Sequence, residues 1–378
     1  MSPMIRLAVL GLVAATSASA QGTLSGQGFG YPLGGLSARA LALGGSAGEF
    51  DPRSARNPAA VVQGLRMGLY FQYDPEFRQV ESSSATDNTV VPRFATFGLI
   101  FPVKQTMAIG LSTHSLLDRT WATRIRSGQR LGPDSVLFTE TNRSSGAINE
   151  TRLTYGWQHP SGKISLGVAA HVFTGENRLN LRREFDDSLR YGTLNRSLTL
   201  AYSGSGVSAG FVLQPVRWFS LAGSARQGSG ISLRVEDTLK TEASVPNRLG
   251  FAARFDAIPG VSLMASADRA TWSRLNGLGS AQAQGRDAWE YGAGAEFFST
   301  RARRITDWTY SVGYRTRELP FAAGGAGVDE KLLSAGLSVP VARGRSSLDI
   351  AGLRVTREAT SQVAERAWQV SVGVTVRP

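Results

Sequence analysis

The sequence predicts an all-β transmembrane protein, an antiparallel β-barrel of about fourteen strands with an N-terminal plug (hatch) inside its lumen. Runs of about ten residues alternate between apolar and small or polar side chains, and short connections alternate with long ones. Composition agrees with this pattern, because only 19% of the residues are charged while 43 are glycine. A soluble domain carries about 25% charged residues.

The first 20 residues predict a cleaved signal peptide. Arg6 precedes the apolar run Leu7–Ala15, and Ala18-Ser19-Ala20 fits the rule for cleavage after small residues. The mature chain would then begin at Gln21 and be exported. The chain contains 0 Cys, which excludes disulfides, thiol catalysis and cysteine-bound metals.

Residues 21–65 are predicted to form the plug, and residues 66–378 the barrel. The stretch Ala38–Gly64 is rich in glycine and alanine, which suits close packing in a confined lumen. It contains Asn57-Pro58-Ala59, a turn signal. A short amphipathic helix at the start of a domain is the alternative, and a helix within the plug would satisfy both interpretations.

The barrel prediction depends on fourteen alternating runs, an even number as closure of a bacterial barrel requires. In the sixth run the apolar phase slips across Gly204-Ser205-Gly206, which predicts a bulge or kink at Gly204 and Gly206. The polar segments Leu117–Ala147 and Gly175–Asn195 are predicted to be long external loops. The runs begin near Met67, Ala95, Met107, Leu153, Leu166, Leu198, Trp218, Leu249, Val261, Tyr291, Trp308, Leu333, Ser346 and Trp368.

A soluble β-sandwich would also alternate, but its outward positions would be charged or strongly polar. Here the face opposite the apolar one is mostly Gly, Ser, Ala and Thr. Aromatic residues such as Trp157, Trp218 and Trp308 stand near strand ends, as in the interfacial belts of membrane barrels. Both features favour the membrane barrel.

The net charge of +12 comes almost entirely from arginine. Such a balance can indicate nucleic acid, but these arginines fall in predicted loops and turns, with no cluster on one helix or one β face. Contacts to anionic outer-membrane lipid, including lipopolysaccharide, fit an exported barrel better, and no nucleic-acid partner is predicted. A compositional bias without a binding role is an equal alternative.

Several short motifs occur in a characteristic order: Ala38–Gly45 with Asn57-Pro58-Ala59, then Val245–Gly250, Asp268 through Trp272-Ser273, Gly294–Phe297 and Ser311–Arg315. In order and spacing they resemble the FadL/OmpP1/TodX family of outer-membrane transporters of hydrophobic compounds. The resemblance implies a monomeric, plugged barrel in the outer membrane of a Gram-negative-type bacterium, with a lateral opening at a kinked strand. It also implies passive uptake of hydrophobic small molecules, such as long-chain fatty acids or aromatic hydrocarbons.

An alternative stays open, because fold alone does not fix function. The same barrel type occurs in PorV/PorQ-like proteins, which anchor or help to secrete surface proteins. The polar, arginine-rich predicted loops favour that alternative, since they contain few of the large apolar residues that a capture site for apolar ligands needs.

Candidate ligand contacts near the plug are Phe29, Tyr31, Leu36 and Phe50, chosen by residue type, and anchoring of the plug is an equal alternative for them. A charge network between wall and plug is predicted, because buried charges must be paired. Its wall members are Arg152, Arg254, Asp268, Glu296 and Arg315, and its plug members are Glu49, Asp51, Arg53 and Arg56.

His114 and His171 have lumen parity on strands three and five. A serine hydrolase would need one of them beside a serine and an acid, and no hydrolase motif accompanies them in the sequence. They are interpreted as wall residues. No enzyme activity, no cofactor and no metal site are predicted.

Overall fold

The computed structural model describes residues 28–377 except 65–66, 83–85, 94–95, 132–133, 237, 279–283, 301–307, 324–325, 343–344 and 360–362. The predicted signal peptide lies outside the described residues, as does the start of the predicted plug. No helix among the described residues is long and apolar enough to span a membrane.

The chain forms a closed antiparallel barrel of 14 strands, which confirms the predicted fold class and strand number. The last strand segment closes the barrel by pairing with the first two wall segments. The strand segments are β1 Tyr31–Pro32, β2 Gly68–Tyr73, β3 Glu76–Ser82, β4 Thr86–Val91, β5 Thr96–Lys104, β6 Met107–Asp118, β7 Trp121–Leu131, β8 Asp134–Gln158, β9 Ile164–Phe185, β10 Leu194–Val216, β11 Phe219–Val235, β12 Thr238–Ser244, β13 Arg248–Phe255, β14 Val261–Ala270, β15 Ala288–Phe297, β16 Thr309–Ala323, β17 Ala326–Val341, β18 Ser346–Glu358 and β19 Val363–Val376.

Interrupted strands explain why there are more segments than barrel strands. The pairs β2/β3, β4/β5, β6/β7 and β12/β13 each form one strand with a break, and β1 precedes the wall and pairs with β6. Pro75 and Pro246 stand in two of the breaks, where a residue without an N–H group cannot continue the ladder. Among the described residues, the helices are Ala38–Ala42 and the 3₁₀ turns Pro58–Gly64 and Trp272–Leu278.

Alternation along the wall places apolar side chains outside. On β9 the outward residues Leu166, Val168 and Val172 are about half exposed, while the inward residues Gly167, Ala169 and His171 are buried. Trp218 and Trp308 are also about half exposed beside strand ends. An apolar outer surface with aromatic residues at its edges is the pattern of a lipid-facing barrel.

The structure corrects the two predicted long loops. Leu117–Ala147 is mostly strand, in β7 and the first half of β8, and Gly175–Asn195 is largely the end of β9 and the start of β10. Polar residues on both faces look like loop in a sequence. The backbone nevertheless keeps pairing beyond the lipid, because both faces of the sheet can then contact water.

Candidate functional site

Residues 28–64, called here the inner segment, pack against the inward-facing side of the wall. Ala38, Ala40, Leu43, Ala59 and Ala60 are all 0% exposed. The helix Ala38–Ala42 contacts β16–β19, and the 3₁₀ turn Pro58–Gly64 contacts β5, β6, β8, β9 and β10. The segment therefore touches the wall on two sides of the lumen.

Glycines on the inward face of the wall make room for the inner segment. A Cβ atom on Gly313 would stand 2.1 Å from the backbone nitrogen of Gly44, and one on Gly167 would stand 2.4 Å from that of Ala59. The wall backbone can approach the segment this closely only without side chains. The same crowding applies at Gly110, Gly156, Gly210, Gly292, Gly294 and Gly336.

Capping groups fix both helical parts of the inner segment. The Ser37 hydroxyl accepts a hydrogen bond from the Ala40 N–H at 3.0 Å, and so caps the helix. The Asn57 carboxamide accepts one from the Ala59 N–H at 2.9 Å and donates another to the Phe211 carbonyl at 2.9 Å. The Asn57-Pro58-Ala59 motif thus begins the 3₁₀ turn and ties it to β10.

Ion pairs join the inner segment to the wall at several separate points. Arg39 binds Glu296 through two bonds of 2.6 Å. Arg56 binds Asp268 at 3.0 Å and Glu290 at 3.1 Å. Two further pairs of this kind are Arg53 with Asp349 and Glu49 with Arg248. Of the segment residues predicted to face wall charges, Glu49, Arg53 and Arg56 pair with the wall, whereas Asp51 pairs with Arg53 within the segment.

The five predicted wall charges do not form one network. Glu296 and Asp268 bind different arginines of the inner segment, and Arg152 reaches the Ser54 carbonyl at 3.4 Å. Arg315 lies 3.5 Å from Glu330. Arg254 is only partly buried and pairs with Asp256 beside it. Parity identified inward residues, but which of them meet depends on how the barrel closes.

An ion cluster that the sequence did not reveal surrounds Tyr31. Its hydroxyl donates to Glu330 at 2.6 Å and accepts from Arg357 at 2.8 Å. Arg357 is 0% exposed and also binds Glu76 at 2.8 Å and the Glu365 carboxylate. We call Tyr31, Glu76, Glu330, Arg357 and Glu365 the sealed cluster. The inward parity of Arg357 was the only available signal, and β18 has a weak alternating pattern.

A buried apolar cluster fills another part of the lumen. Phe29 packs there with Phe173 of β9, Tyr202 of β10 and Trp272 of the second 3₁₀ turn. We call this the lumen cluster. Its other buried members are Leu116, Leu117, Ile148, Ile231, Leu233, Val245, Leu275 and Ala288.

The four candidate ligand contacts lie in four environments. Phe29 belongs to the lumen cluster, and Tyr31 to the sealed cluster. Leu36 packs with the helix Ala38–Ala42, and Phe50 packs partly buried near Val212. The structure does not bring them together into one pocket.

A groove of about 1030 Å³ lies on the outer surface of the wall. Outward residues Leu153, Val168 and Val207 line it, and the inward residues Arg226 and Arg248 form part of its floor. The same two arginines line a small lumen cavity of about 70 Å³. Groove and lumen are therefore separated by a single layer of wall.

The wall is irregular beside this groove. The pairing of β10 with β11 shifts register between Gly204 and Gly206, and the extra residue lies on β11, since β10 keeps its register with β9. The bulge or kink that the sequence predicts at these two glycines stays a prediction. The ladder of β11 with β12 and β13 also stops between Arg226 and Gly230, opposite the break at Pro246. Side chains bind the backbone groups at this break, because Arg274 donates to the Val245 carbonyl at 3.2 Å and the Asn247 carboxamide accepts from the Gly228 N–H at 2.9 Å.

On the lumen side of the wall behind the groove, Glu150 is the centre of a group of polar contacts. It accepts from Arg226 at 2.5 Å, and one of its oxygens lies 2.6 Å from Nδ1 of His171, whose Nε2 lies 2.7 Å from the Ser208 hydroxyl. His114 lies 3.5 Å from Glu150. The order serine, histidine, acid is the one that a hydrolase requires. All of these side chains are buried or nearly so, and together they join β6, β8, β9, β10 and β11.

A further cavity of about 220 Å³ lies between the inner segment and the wall near the ends of β2 and β19. Gln63, Tyr70, Arg53 and Arg152 line it. It lies at the end of the barrel where both termini of the wall and the short turns are found.

A closed barrel with an apolar outer surface and an occupied lumen defines the class of membrane-spanning β-barrels of the outer-membrane type. No family sequence model and no curated protein sequence matches the chain. Solved structures with this fold include the toluene transporter TbuX of Ralstonia pickettii, with a TM-score of 0.61 at 15% identity over 91% of this chain and 99% of that one.

Two further channels are similar. The CymD monoaromatic hydrocarbon channel has a TM-score of 0.56 at 14% identity, over 92% of this chain and 98% of that one. The toluene transporter TodX of Pseudomonas putida has a TM-score of 0.55 at 13% identity, over the same shares. These are FadL-family channels and not enzymes, so the resemblance seen in the sequence motifs is confirmed in the fold.

Proposed function

We propose that this protein is an outer-membrane channel for the passive uptake of hydrophobic small molecules, with the inner segment as its plug. The observation that carries the proposal is the apolar groove, which opens on the lipid-facing surface and is one wall layer away from the lumen. The similarity to hydrocarbon channels supports it.

The lumen cluster offers an apolar route on the inner side of the same wall. Phe173 and Tyr202 belong to β9 and β10, two of the strands that also line the groove. An apolar molecule leaving water gains about 25 cal/mol for each Å² of buried apolar surface. Transfer along apolar surfaces therefore needs no energy source beyond consumption of the ligand inside the cell.

Filling the groove tests this proposal. Ala209 and Ala225 are exposed residues of the groove, and Ala209→Trp with Ala225→Trp would occupy part of its volume. We expect cells producing this variant to take up labelled toluene or oleate several-fold more slowly than cells producing the unchanged protein. The matched control is Ala293→Trp, on an exposed alanine of β15 outside the groove. Equal uptake by both variants would refute the route.

A second candidate is a barrel that anchors or helps to secrete surface proteins. The observation that favours it is the polar sheet of β7–β10 beyond the apolar outer surface. Affinity purification from intact cells distinguishes the two. Surface proteins recovered in stoichiometric amounts, together with unchanged hydrocarbon uptake when the gene is deleted, would favour this candidate over the channel.

A further inference from the structure

Six arginines lie on the outward face of β7, β8 and β9, beyond the apolar part of the wall. They are Arg124, Arg126, Arg130, Arg143, Arg178 and Arg182, called here the arginine face. The sequence indicated no arginine cluster on one β face, because these segments were predicted to be loops. Their pairing as strands is what aligns the side chains.

The register shows that the arginines share a face with the lipid-facing residues. β8 and β9 pair without a shift from Phe138 opposite Phe185 to Gln158 opposite Ser165. Alternate residues of β9 therefore point the same way from Leu166 and Val168 to Arg178. Arg143 and Arg178 lie on adjacent strands, two residues apart in register, which is the spacing of diagonal neighbours.

The guanidinium groups of this face are accessible. The side chains of Arg126, Arg178 and Arg182 are 68%, 67% and 60% exposed, and they pair with Asp186, Glu176 and Glu184 respectively. Within the described chain, Arg124 and Arg143 have no ion pair. Surface ion pairs contribute about 0–1 kcal/mol, so they do not prevent the arginines from binding a stronger anion.

The height of the face above the lipid narrows the choice of anion. The last large apolar outward residue of β9 is Val172, and Arg178 lies six residues further on. That is about 20 Å along a strand and about 15 Å along the membrane normal at a strand tilt of about 40°. The headgroup layer of an ordinary bilayer is only about 5–8 Å thick on each side. The arginines therefore lie above phospholipid headgroups.

We propose that the arginine face binds the phosphates of a glycolipid headgroup in the outer leaflet, such as lipopolysaccharide. Arginine binds phosphate in a bidentate, charge-assisted manner, and two diagonal neighbours can share one phosphate. Thr141, Asn180 and Ser197 lie among the arginines in the same rows of the sheet and supply hydrogen bonds to sugar hydroxyls. This proposal depends on the membrane position of the barrel and not on what the channel carries.

The test uses the full mature protein, purified in detergent, and the double variant Arg143→Gln/Arg178→Gln. Binding is measured for purified lipopolysaccharide, for its enzymatically dephosphorylated form and for phosphatidylglycerol nanodiscs. We expect the variant to bind intact lipopolysaccharide about tenfold more weakly, the effect of losing one hydrogen bond to a charged group. Binding of the other two lipids should change by less than about twofold.

The matched control is Arg190→Gln/Arg196→Gln, which removes the same charge from the same region. Arg196 has the opposite parity on β10, opposite Leu181, and Arg190 lies between β9 and β10. Heat-dependent mobility on gels confirms that both variants fold. Equal weakening by the control variant, equal weakening toward phosphatidylglycerol, or no weakening toward lipopolysaccharide would each overturn the proposal.

Discussion

Two sides of the lumen use the same charged residue types and are closed differently. On one side, the sealed cluster joins β3, β17, β18 and β19, and each of its carboxylates is bound by arginine. On the other side, Arg226 binds Glu150, and Arg248 binds Glu49 and Asp268. A groove and a cavity adjoin them.

We expect the two sides of the wall to differ in rigidity. A buried charge that loses its partner is strongly destabilised, so multiple pairing around Arg357 fixes that side. On the Glu150 side, strand irregularities at Gly204–Gly206 and Pro246 interrupt the ladder beside the groove. We therefore expect the sealed side to contribute most to the stability of the barrel, and the ligand to pass on the groove side.

The largest effect is expected from breaking the sealed cluster. Arg357→Met leaves the buried carboxylates of Glu76, Glu330 and Glu365 without their shared partner. The free energy of unfolding should fall by about 3–5 kcal/mol, measured by urea unfolding in detergent. Arg354→Met, on the exposed face of the same strand over the Trp368 ring, is the control and should cost about 1 kcal/mol or less. If the free energy of unfolding fell by similar amounts in the two variants, the sealed cluster would not stabilise the barrel more than a surface contact does.

The next effect concerns the fit of the inner segment. Gly313→Leu places a side chain where the backbone of Leu43 and Gly44 now lies, so the segment must move away from β16. Swelling assays on proteoliposomes should show several-fold faster entry of a small sugar. Gly352→Leu is the control, because a Cβ atom there would meet nothing within 4 Å. If Gly313→Leu leaked no more than Gly352→Leu, the segment would not be what closes the lumen.

A smaller effect is expected from Asp51, which binds Arg53 at 3.1 Å and the Ser37 hydroxyl at 2.5 Å. Burial by itself would raise the pKa of Asp51, but Arg53 and Arg39 hold that pKa below its usual value. Its stabilising effect is therefore present above about pH 4 and is lost only as the pH falls through the lowered pKa.

Asp51→Asn should increase hydrogen exchange of the helix Ala38–Ala42 several-fold at pH 7, while the unchanged protein should keep its protection, corrected for intrinsic rates, from pH 8 to pH 5. Asp256→Asn, at a turn of the wall, is the control and should leave the helix unaffected. Loss of protection in the unchanged protein by pH 5 would contradict the lowered pKa.

The smallest effect is expected at Ser208, despite its place beside His171. Because Ser208 and His171 are buried in the wall, we expect no labelling of Ser208 by a fluorophosphonate probe, and hydrocarbon uptake by Ser208→Ala should be unchanged. Labelling that disappears in both Ser208→Ala and His171→Gln would show instead that the groove side contains a reactive serine.

Much of the fold followed from the sequence. The period of two along each strand indicated which residues face lipid. The apolar phase slip at Gly204–Gly206 is a change of face, because Tyr202 is buried in the lumen cluster and Val207 is exposed outside, while β10 keeps its register with β9. The motif Asn57-Pro58-Ala59 predicted a turn, and in the structure it begins a 3₁₀ turn that is hydrogen-bonded to β10. Alternation along a strand and the turn signal are local patterns, because both depend only on neighbouring residues.

The candidate site followed only in part. Parity placed Asp268, Glu296 and Arg152 inside, but not which arginine each one meets. Parity also gave no reason to group Arg357 with Glu76, because these residues are 281 positions apart in the chain. In the structure their side chains lie 2.8 Å from each other. The polar composition of β7 and of the adjoining parts of β8 and β9 also led to a prediction of loops, although these are the strands that align the arginine face.

By itself, the sequence determined the barrel, its strand number and the inward or outward direction of most side chains, because each of these depends on a short repeating pattern. Only the tertiary structure decided which inward residues meet, where the wall is indented, and that Arg143 and Arg178 lie side by side. Those facts depend on strand register and on closure of the barrel, which bring together residues that are far apart in the chain.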